Sequence, residues 1–589
     1  MLTLKPPLRV ACAAKMVCRP TKPPSAFAKY SVWHGAQEEA CEADSPFLMP
    51  FLDYRTWNSE PPMPITLVDP ALARICEAFS GKGQHGAAPT TAELLTVTKL
   101  TRMAAHFANE GERRDRFLAV MNGYLGGEGP LAVNKIGKFE TDGTILVGGS
   151  EGMPIVILEL KNKVGLSVQC SCKSLCTGWA FQPLRCTCPF AQVGESGDPG
   201  PEGQDYYRRY LLDRADKPGT AKTVRDTPCP CLLLELMGPE LRVSAMASTC
   251  DIQVLCQPLT PRLHLYDMFA ADWEHMVAVA KVLRAIKFGA AELRQGYDAS
   301  ADASAARPAK RHRPSAAPGA ANQPGQPLQR NPSLPLPYPL RPDSGCIASA
   351  KLPEPLHPPR QGCLLYRFWP AADAQSRLVK FVQRGSYGEA VHRAWAEQGL
   401  APALYGVQQL AGGLCMVQME ELQGKAGWRS VAEIPPAERT EQLRVVVVGA
   451  LQRAFTVEVG DGKRGVHGDA RAANVLVRGG LTAVTGSLPR MQEQQGASGE
   501  EGEHQQPSPS PSQPGVDVAR QQGPAATDIE VRFVDFDWAG IVGEAELPLW
   551  AVPRRALPPD RKLTTDYDLD VLRETWQLDF STGVVQGAS

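Results

Sequence analysis

The chain has 589 residues, which is long enough for about two to four domains. Its 62 Lys and Arg residues nearly balance its 63 Asp and Glu residues, so any binding to nucleic acid has to be local rather than driven by an overall field. No apolar run approaches the roughly 18 residues that cross a bilayer, and we expect a soluble protein with no membrane partner. Many of the 16 cysteines stand singly, which favours reduced thiols inside the cell, in the cytoplasm or the nucleus.

Residues 1–44 form the first predicted segment, a disordered leader. No acidic residue occurs before about residue 37, while lysines and arginines are spread among Ala, Pro and Ser. This composition is also typical of an organelle transit peptide, which is the alternative. Repeated prolines interrupt any amphipathic helix, so we favour the leader over organelle import.

A folded region is predicted over residues 45–300, and a β-hairpin lies near its middle. Helical periodicity over 94–124 precedes two apolar runs joined by a glycine-rich turn. On the second run, Glu159 and Lys161 share one face because side chains two positions apart point the same way. A carboxylate and an amine on an apolar strand are costly to bury unless they pair or hold a metal.

Asp142 lies on the other strand of this hairpin, with sixteen residues between it and Glu159. Asp142, Glu159 and Lys161 together resemble the PD-(D/E)xK nuclease superfamily, which implies a restriction-endonuclease-like α/β/α domain. The resemblance implies that Asp142 and Glu159 bind Mg²⁺, that Lys161 orients the attacking water or stabilises the phosphorane, and that DNA is a partner. The alternatives are an exposed edge strand whose polar residues face water, and a nuclease fold whose site is inactive or only binds.

Two further features fit the nuclease interpretation. Gln204 and Tyr206 open a predicted helix downstream, where related nucleases often carry a Gln and a Tyr near the site. Upstream, Glu110 or Glu112 can supply the helix acid of that family.

The segment 165–193 interrupts the connection between the hairpin and the Gln204 helix. Its cysteines follow a Cys-x-Cys spacing rather than the Cys-x₂-Cys pairs of most zinc sites, so we prefer an unstructured insertion to a zinc site. We hypothesise that it is translated intron; a mature message that carries the segment would contradict this. The cysteines are Cys170, Cys172, Cys176, Cys186 and Cys188.

Residues 301–350 are rich in Ala, Pro and Gln, and we predict a flexible linker. The basic cluster at 310–313 is a candidate nuclear-import signal, although such clusters also occur in linkers by chance. Residues 351–589 then form the second predicted domain, with a disordered insertion at 479–528.

The second domain contains two segments suited to phosphate chemistry. His-Gly-Asp at 467–469 is followed by Asn474 and an apolar strand, and a later apolar strand ends in Asp535. Phosphoryl transfer needs mainly positioning and charge neutralisation. In that chemistry Asp469 orients a hydroxyl and accepts its proton, Arg471 reaches the transferred phosphate, and Asn474 and Asp535 hold Mg²⁺. The alternative is an ordinary Asp-bearing turn between strands, which the presence of both segments in order makes less favourable.

These segments resemble the protein-kinase-like superfamily on its aminoglycoside-phosphotransferase side, and more closely the kinase-like domains of fungal, oomycete and algal multidomain proteins. The joint presence of both domains resembles crinkler-type architectures. The resemblance implies a bilobed domain that binds ATP, with Lys380 on the nucleotide phosphates and Glu389, or in reserve Glu397, holding Lys380. It places Glu420 in the hinge strand whose backbone holds adenine. The predicted fold class is therefore α/β and α+β in two domains.

The sequence thus predicts an ATP- and Mg²⁺-dependent phosphotransferase acting on a hydroxyl of a protein, Ser or Thr first, or of a small molecule. No Gly-x-Gly-x-x-Gly precedes Lys380, and only about fifty residues follow Gly540. Both features favour two alternatives. One is a metal-dependent nuclease regulated by a pseudokinase domain, and the other is a catalytically silent interaction protein.

Overall fold

The computed structural model describes a mixed α and β protein with several sheets. It divides into two compact units, Met1–Phe381 with Gln408–Met416 and Val382–Val407 with Val417–Ser589. The predicted domain boundaries stay a prediction. The described residues are 51–53, 63–81, 83–103, 109–136, 138–161, 198–249, 253–265, 273–306, 336–342, 344–347, 349–356, 364–370, 375–422, 427–479, 529–547 and 561–578.

Several predicted segments fall on residues that the structure does not describe. They are the leader 1–44, the cysteine-rich insertion 165–193, the basic cluster 310–313 and residues 480–528 of the second insertion. None of the helices within the described ranges combines the length and the apolar run that a membrane crossing needs.

The first unit is built around one large sheet. Its order is β1-β8-β7-β6-β5-β4, with β9 paired to β7. Its strands are β1 (Phe51–Asp53), β4 (Gly143–Val147), β5 (Met153–Lys161), β6 (Cys231–Met237), β7 (Glu240–Ser248), β8 (Val254–Pro258) and β9 (Leu263–His264), and a small separate hairpin joins β2 (Lys135–Ile136) to β3 (Phe139–Glu140). The helices described in this unit are α1 (Ile65–Val68), α2 (Pro70–Phe79), α3 (Thr91–Met103), α4 (Glu110–Leu125), α5 (Pro199–Ala215), α6 (Ala221–Asp226) and α7 (Trp273–Ala306).

The predicted hairpin is confirmed. β4 and β5 pair antiparallel, with Gly143 opposite Leu158, and β5 pairs parallel with β6, with Glu159 beside Glu235. β5 and β6 are buried over their whole length, as expected of strands covered by helices on both faces. Helices α5 and α7 both pack on β5. The alternative of an exposed edge strand is therefore wrong, because β5 has a neighbour on each side.

A second apolar cluster in the first unit involves residues of the predicted linker. Leu67 of α1, Leu336, Leu340 and Ile347 are buried together with side chains from the strands that follow. Those strands form a five-stranded sheet in the order β10-β11-β12-β14-β13. They are β10 (Glu354–Pro355), β11 (Leu365–Phe368), β12 (Arg377–Gln383), β13 (Leu404–Gln409) and β14 (Leu414–Glu420). The end of the predicted linker is thus packed rather than a free spacer.

The second unit surrounds a core centred on Trp395. This fully buried side chain contacts the rings of Phe455, Phe533 and Phe536 edge-on. The strands that flank the second insertion pair antiparallel, with Val475 opposite Phe533, as predicted. The further elements of this unit are α8 (Glu389–Glu397), α9 (Glu441–Thr456), α10 (Thr565–Leu578), β15 (Arg429–Ser430), β16 (Gly465–Val466), β17 (Val475–Arg478), β18 (Glu530–Phe533) and β19 (Gly540–Ile541).

Candidate active sites

The first candidate site lies in the second unit, on the loop between β16 and β17. His467 is fully buried and is held from two sides. Its ring Nε2 lies 2.9 Å from the carbonyl oxygen of Val534, and its backbone N–H donates to Asp568 Oδ2 at 2.6 Å. Because a carbonyl only accepts, Nε2 carries the proton. His467 is therefore held in the protein interior by hydrogen bonds on both sides and supports the loop.

Asp469, Arg471 and Asn474 meet on this loop. Asn474 Nδ2 donates to Asp469 Oδ2 and to the backbone oxygen of Asp469, both at 2.9 Å. Arg471 Nε lies 3.1 Å from the same Oδ2. The Asn474 hydrogen bonds orient the Asp469 carboxylate, and the Arg471 guanidinium adds a charge contact without a hydrogen bond at Nε from the described residues. Arg471 was expected to reach a transferred phosphate; the structure places its guanidinium against Asp469, and contact with phosphate stays a prediction.

Asp535 follows β18 and adopts a left-handed backbone, with φ 74° and ψ 61°. Residues other than glycine enter this region uncommonly, and such conformations cluster at functional sites. The preceding residue, Val534, donates its N–H to the carbonyl oxygen of Asn474 at 2.9 Å. This bond continues the β17–β18 pairing and places the residue before Asp535 opposite Asn474.

The donor set here suits Mg²⁺. The Asn474 amide nitrogen faces Asp469, so its oxygen could serve as a neutral ligand together with the carboxylate of Asp535, and Mg²⁺ prefers oxygen ligands. Over the ranges that the structure describes, no group of three or more His, Cys, Asp or Glu residues lies together as a metal site. Two protein ligands are sufficient where nucleotide phosphates and water supply the others.

Helix α8 contacts the turn that follows Asp535 through Gly388 and His392, which both meet Phe536; we call this contact the clasp. The Gly388 N–H donates to the carbonyl oxygen of Phe536 at 2.9 Å. The fully buried His392 ring stacks on Phe536, with centroids 4.4 Å apart and planes at 2°. His392 Nε2 donates to the carbonyl of Pro402 at 2.9 Å, which leaves Nδ1 to accept from the Tyr387 hydroxyl. Sequence reasoning did not identify this clasp.

The remaining residues predicted to bind nucleotide are placed as follows. Glu389 pairs with Arg393 one turn along its own helix, at 2.9 Å, and Glu397 is exposed. Glu420 pairs with Arg532 at 2.7 Å and accepts the Ala403 N–H at 3.1 Å. Its carboxylate is thus engaged within the protein. Lys380 is half-buried on β12, opposite Leu365, and its role as a phosphate ligand stays a prediction.

The second candidate site lies in the first unit, between β5 and α5. Glu159 and Lys161 are both buried on β5. Lys161 Nζ lies 2.8 Å from Glu202 Oε2, in the first turn of α5. Asp142 Oδ2 accepts the Leu160 N–H at 2.8 Å, which fixes Asp142 at the adjoining strand end. The three residues of the predicted nuclease motif are therefore brought to one place.

The two candidates for the helix acid, Glu110 and Glu112, differ in what they act on. Burial raises the pKa of Asp142, and the negative charge of Glu110 adds to that rise. The charge of Glu110 also contributes to the rise of the Glu159 pKa. Glu112 instead pairs with Arg116 on the surface of α4 at 2.9 Å. Of the two candidates, Glu110 is the one whose charge acts on Asp142 and Glu159, and its role as the helix acid stays a prediction.

The electrostatics of the site are set by burial and by crowded carboxylates. Burial, followed by the charges of Glu202 and Asp142, raises the pKa of Glu159 well above its usual range. Burial lowers the pKa of Lys161, but the charges of Glu202 and Glu159 outweigh it and the pKa lies above its ordinary value. Lys161 is therefore a cation and cannot act as a general base.

A divalent cation fits this donor set as well. Glu159 Oε1 is buried, and within the described residues no hydrogen-bond partner satisfies it. An unsatisfied buried carboxylate oxygen is costly unless a cation or proton neutralises it. Asp142 is the second carboxylate that the sequence assigned to this role.

The helix side of the site differs in part from expectation. Gln204 is fully buried on α5, whereas the Tyr206 hydroxyl donates to the carbonyl oxygen of Glu140 at 2.6 Å and is engaged there. Sequence reasoning missed Glu202. Its signal is the run Asp198-Pro199-Gly200-Pro201, since Asp is a preferred N-cap and Pro a preferred first residue of a helix. That run places Glu202 in the first turn, two residues before Gln204.

Comparisons with known proteins add little. No family model matches the chain, and no curated protein matches it. It is similar to a solved structure of the Cydia pomonella granulovirus kinase PK-1, at 12% identity and a TM-score of 0.23. The match covers 37% of this chain and 64% of that kinase. A likeness of this size carries no conclusion about function, which has to be inferred from the geometry of the two sites.

Proposed function

We propose that the second unit carries a phosphotransferase site that moves the γ-phosphate of ATP to a hydroxyl, with protein Ser or Thr as the favoured acceptor. One observation carries the proposal. Asn474 and Arg471 both contact one carboxylate oxygen of Asp469, and a backbone bond ties the left-handed Asp535 segment to Asn474. An ordinary turn between strands does not need the contacts of Asn474 and Arg471 with Asp469.

The residues act as follows in this proposal. Asp469 accepts the hydrogen bond of the acceptor hydroxyl and then its proton, and Asn474 and Arg471 keep that carboxylate oriented. Asn474 and Asp535 would hold Mg²⁺, which when bound neutralises charge on the phosphates. His467 and Asp568 keep the loop in position, so that little reorganisation is needed when nucleotide binds. Lys380 lies in the first unit, and its contact with the phosphates stays a prediction from the sequence alone.

The test uses the full chain and radiolabelled ATP with a mixed pool of Ser and Thr peptides. We expect Asp469→Asn to reduce transfer by about 100-fold or more while MgATP still raises the melting temperature. Asp535→Asn and Lys380→Ala should abolish that rise. Asp461→Asn, at an exposed turn, is the matched control. Equal transfer by the parent and Asp469→Asn would refute the proposal, and no MgATP effect in any variant would favour the silent interaction protein.

We propose metal-dependent cleavage of a phosphodiester, with DNA as substrate, as a second candidate function for the first unit. The placement of the three motif residues favours it, since Glu159 and Lys161 are both buried on β5 and Asp142 accepts the Leu160 N–H between them. Asp142 and Glu159 would hold Mg²⁺, and Lys161 stabilises negative charge that develops on the phosphate. Plasmid cleavage in Mg²⁺ or Mn²⁺ should be lost in Glu159→Gln and retained in Glu151→Gln, an exposed control. Cleavage that persists in Glu159→Gln would exclude this function.

A further inference from the structure

The turn between β13 and β14 lies directly against the first helices of the first unit. At Gly412 in this turn, an added Cβ would lie 2.7 Å from Thr66 Cβ on α1 and 3.4 Å from Ala73 Cα on α2. An approach below 3.0 Å requires atoms to move, so the turn and the two helices fit together because residue 412 is glycine. The turn and both helices belong to the first unit.

The same turn is packed on the sheet that carries Lys380. Leu410, at the start of the turn, is buried in the apolar cluster that contains Leu67 of α1. Val379 and Phe381 of β12 belong to this cluster too, and they flank Lys380 in the chain. A shift of the turn therefore acts on α1 and on β12 together, because close-packed side chains transmit strain.

From α2 the packing continues to the strands of the second candidate site. At Gly289 of α7, an added Cβ would lie 2.9 Å from Leu232 Cδ1 on β6 and 3.5 Å from Ile75 Cδ1 on α2, so the three elements meet at this point. Leu232 lies beside Val156 of β5, three residues before Glu159. Ile75, Leu232 and Val156 are fully buried. A continuous series of packed side chains thus joins the turn to the strand of Glu159.

We propose that the β13–β14 turn is a coupling contact through which the sheet that carries Lys380 affects the second candidate site. The position of the turn on α1 and α2 sets the packing of β5 and β6, and with it the rate of cleavage. The effect on cleavage rests on the second candidate function, whereas the effect on β5 does not. A turn that only covers the helices would confine any change to the residues that it touches.

The test compares Gly412→Ala with Gly413→Ala in the full chain. The two glycines have nearly the same left-handed backbone, with φ +82° and +79°, so alanine is equally strained at both. An added Cβ at Gly413 meets nothing within 4 Å, and the difference between the variants therefore isolates the contact with α1 and α2. Methyl NMR of labelled isoleucine reports the packing of the native state. We expect the signals of Ile75 on α2 and Ile157 on β5 to shift in Gly412→Ala alone, and plasmid cleavage to fall by about 5-fold or more.

Thr66→Ala provides a second variant if Gly412→Ala does not fold. It opens a small space under the turn instead of overfilling it, and it should shift the same two signals. An Ile157 signal that stays unchanged while that of Ile75 shifts would overturn the inference, as would parent-like cleavage with both signals shifted. The two proposals also fail separately. If no protein cleaves DNA but the Ile157 signal shifts, the second candidate function is wrong and the coupling between the turn and β5 stands.

Discussion

The clasp between α8 and the turn after Asp535 can be tested by adding one methyl group. Gly388 has φ −81°, a conformation open to any residue, so alanine there is not strained by its backbone. A Cβ at this position would lie 2.6 Å from both the carbonyl carbon and the Cβ of Ala539. These atoms belong to the backbone and its first side-chain atom, and they cannot rotate away. Gly388→Ala should therefore push α8 and the turn apart.

The size of the effect follows from the overlap. Ordinary contact begins at 3.4 Å, so the 2.6 Å approach requires a shift of about 0.8 Å. Overpacking of this kind costs about 1–3 kcal/mol. A displacement of about 1 Å away from the chemistry can lower turnover by about 100-fold. Because the turn begins one residue after Asp535, we expect most of the loss in transfer rather than in stability.

The assay compares Gly388→Ala with Gly449→Ala in the full chain, with peptide phosphorylation and thermal unfolding as readouts. Gly449 lies within α9, where an added Cβ meets only Arg453 Nη1 at 4.0 Å. Alanine in a helix interior is favoured over glycine by about 0.5–1 kcal/mol, so the control should be neutral or stabilised. If Gly388→Ala and Gly449→Ala have the same melting temperature and the same rate of peptide phosphorylation, the clasp does not position Asp535.

Three further predictions concern single side chains. Burial raises the pKa of Asp568 from 3.8 to about 7, so the stability that its protonated form contributes is lost as pH rises through 7. The free energy of unfolding of Asp568→Asn, measured in urea, should therefore rise relative to that of the parent by up to about 4 kcal/mol between pH 4 and 8. A difference between the two proteins that does not change with pH would contradict this. Glu420→Gln removes a partly exposed ion pair with Arg532, and we expect the free energy of unfolding to fall by no more than about 1 kcal/mol. The affinity for ATP, measured by thermal titration, should not change. Leu67→Ala leaves a cavity in the apolar cluster with Leu336 and Leu340 and should lower the free energy of unfolding in urea by about 2–5 kcal/mol. Leu95→Ala, at a side chain that is 58% exposed, should lower it little.

The elements that the sequence predicted well are those whose signal is local. Two apolar runs joined by a glycine-rich turn predicted the hairpin of β4 and β5, and the two-residue period of a strand placed Glu159 and Lys161 on one face. The spacing within 467–474 predicted that Asp469 and Asn474 share a loop, and they are hydrogen-bonded there. In each case a few neighbouring residues determine the geometry.

The contacts that sequence reasoning missed join residues far apart in the chain. Glu202 reaches Lys161 only because α5 packs on β5, and its spacing from the strand says nothing about that packing. Glu420 resembles a hinge residue by position, yet Arg532 engages its carboxylate from 112 residues away. Charge pairing over such separations depends on the assembled fold, which no local period encodes.

The two sites share one physical arrangement that bears on how each can be tested. In each, a buried carboxylate from a distant helix fixes the group that the chemistry needs: Asp568 of α10 holds the backbone of the His467 loop, and Glu202 of α5 holds Lys161. Removing a reactive group tests only whether it is needed. Removing the carboxylate that holds it, Asp568 or Glu202, leaves every reactive atom present and changes only its position. A graded loss of activity in variants of these two residues would therefore distinguish a working site from a buried charge network that serves folding alone, because the free energy of folding does not depend on where substrate or cation would bind.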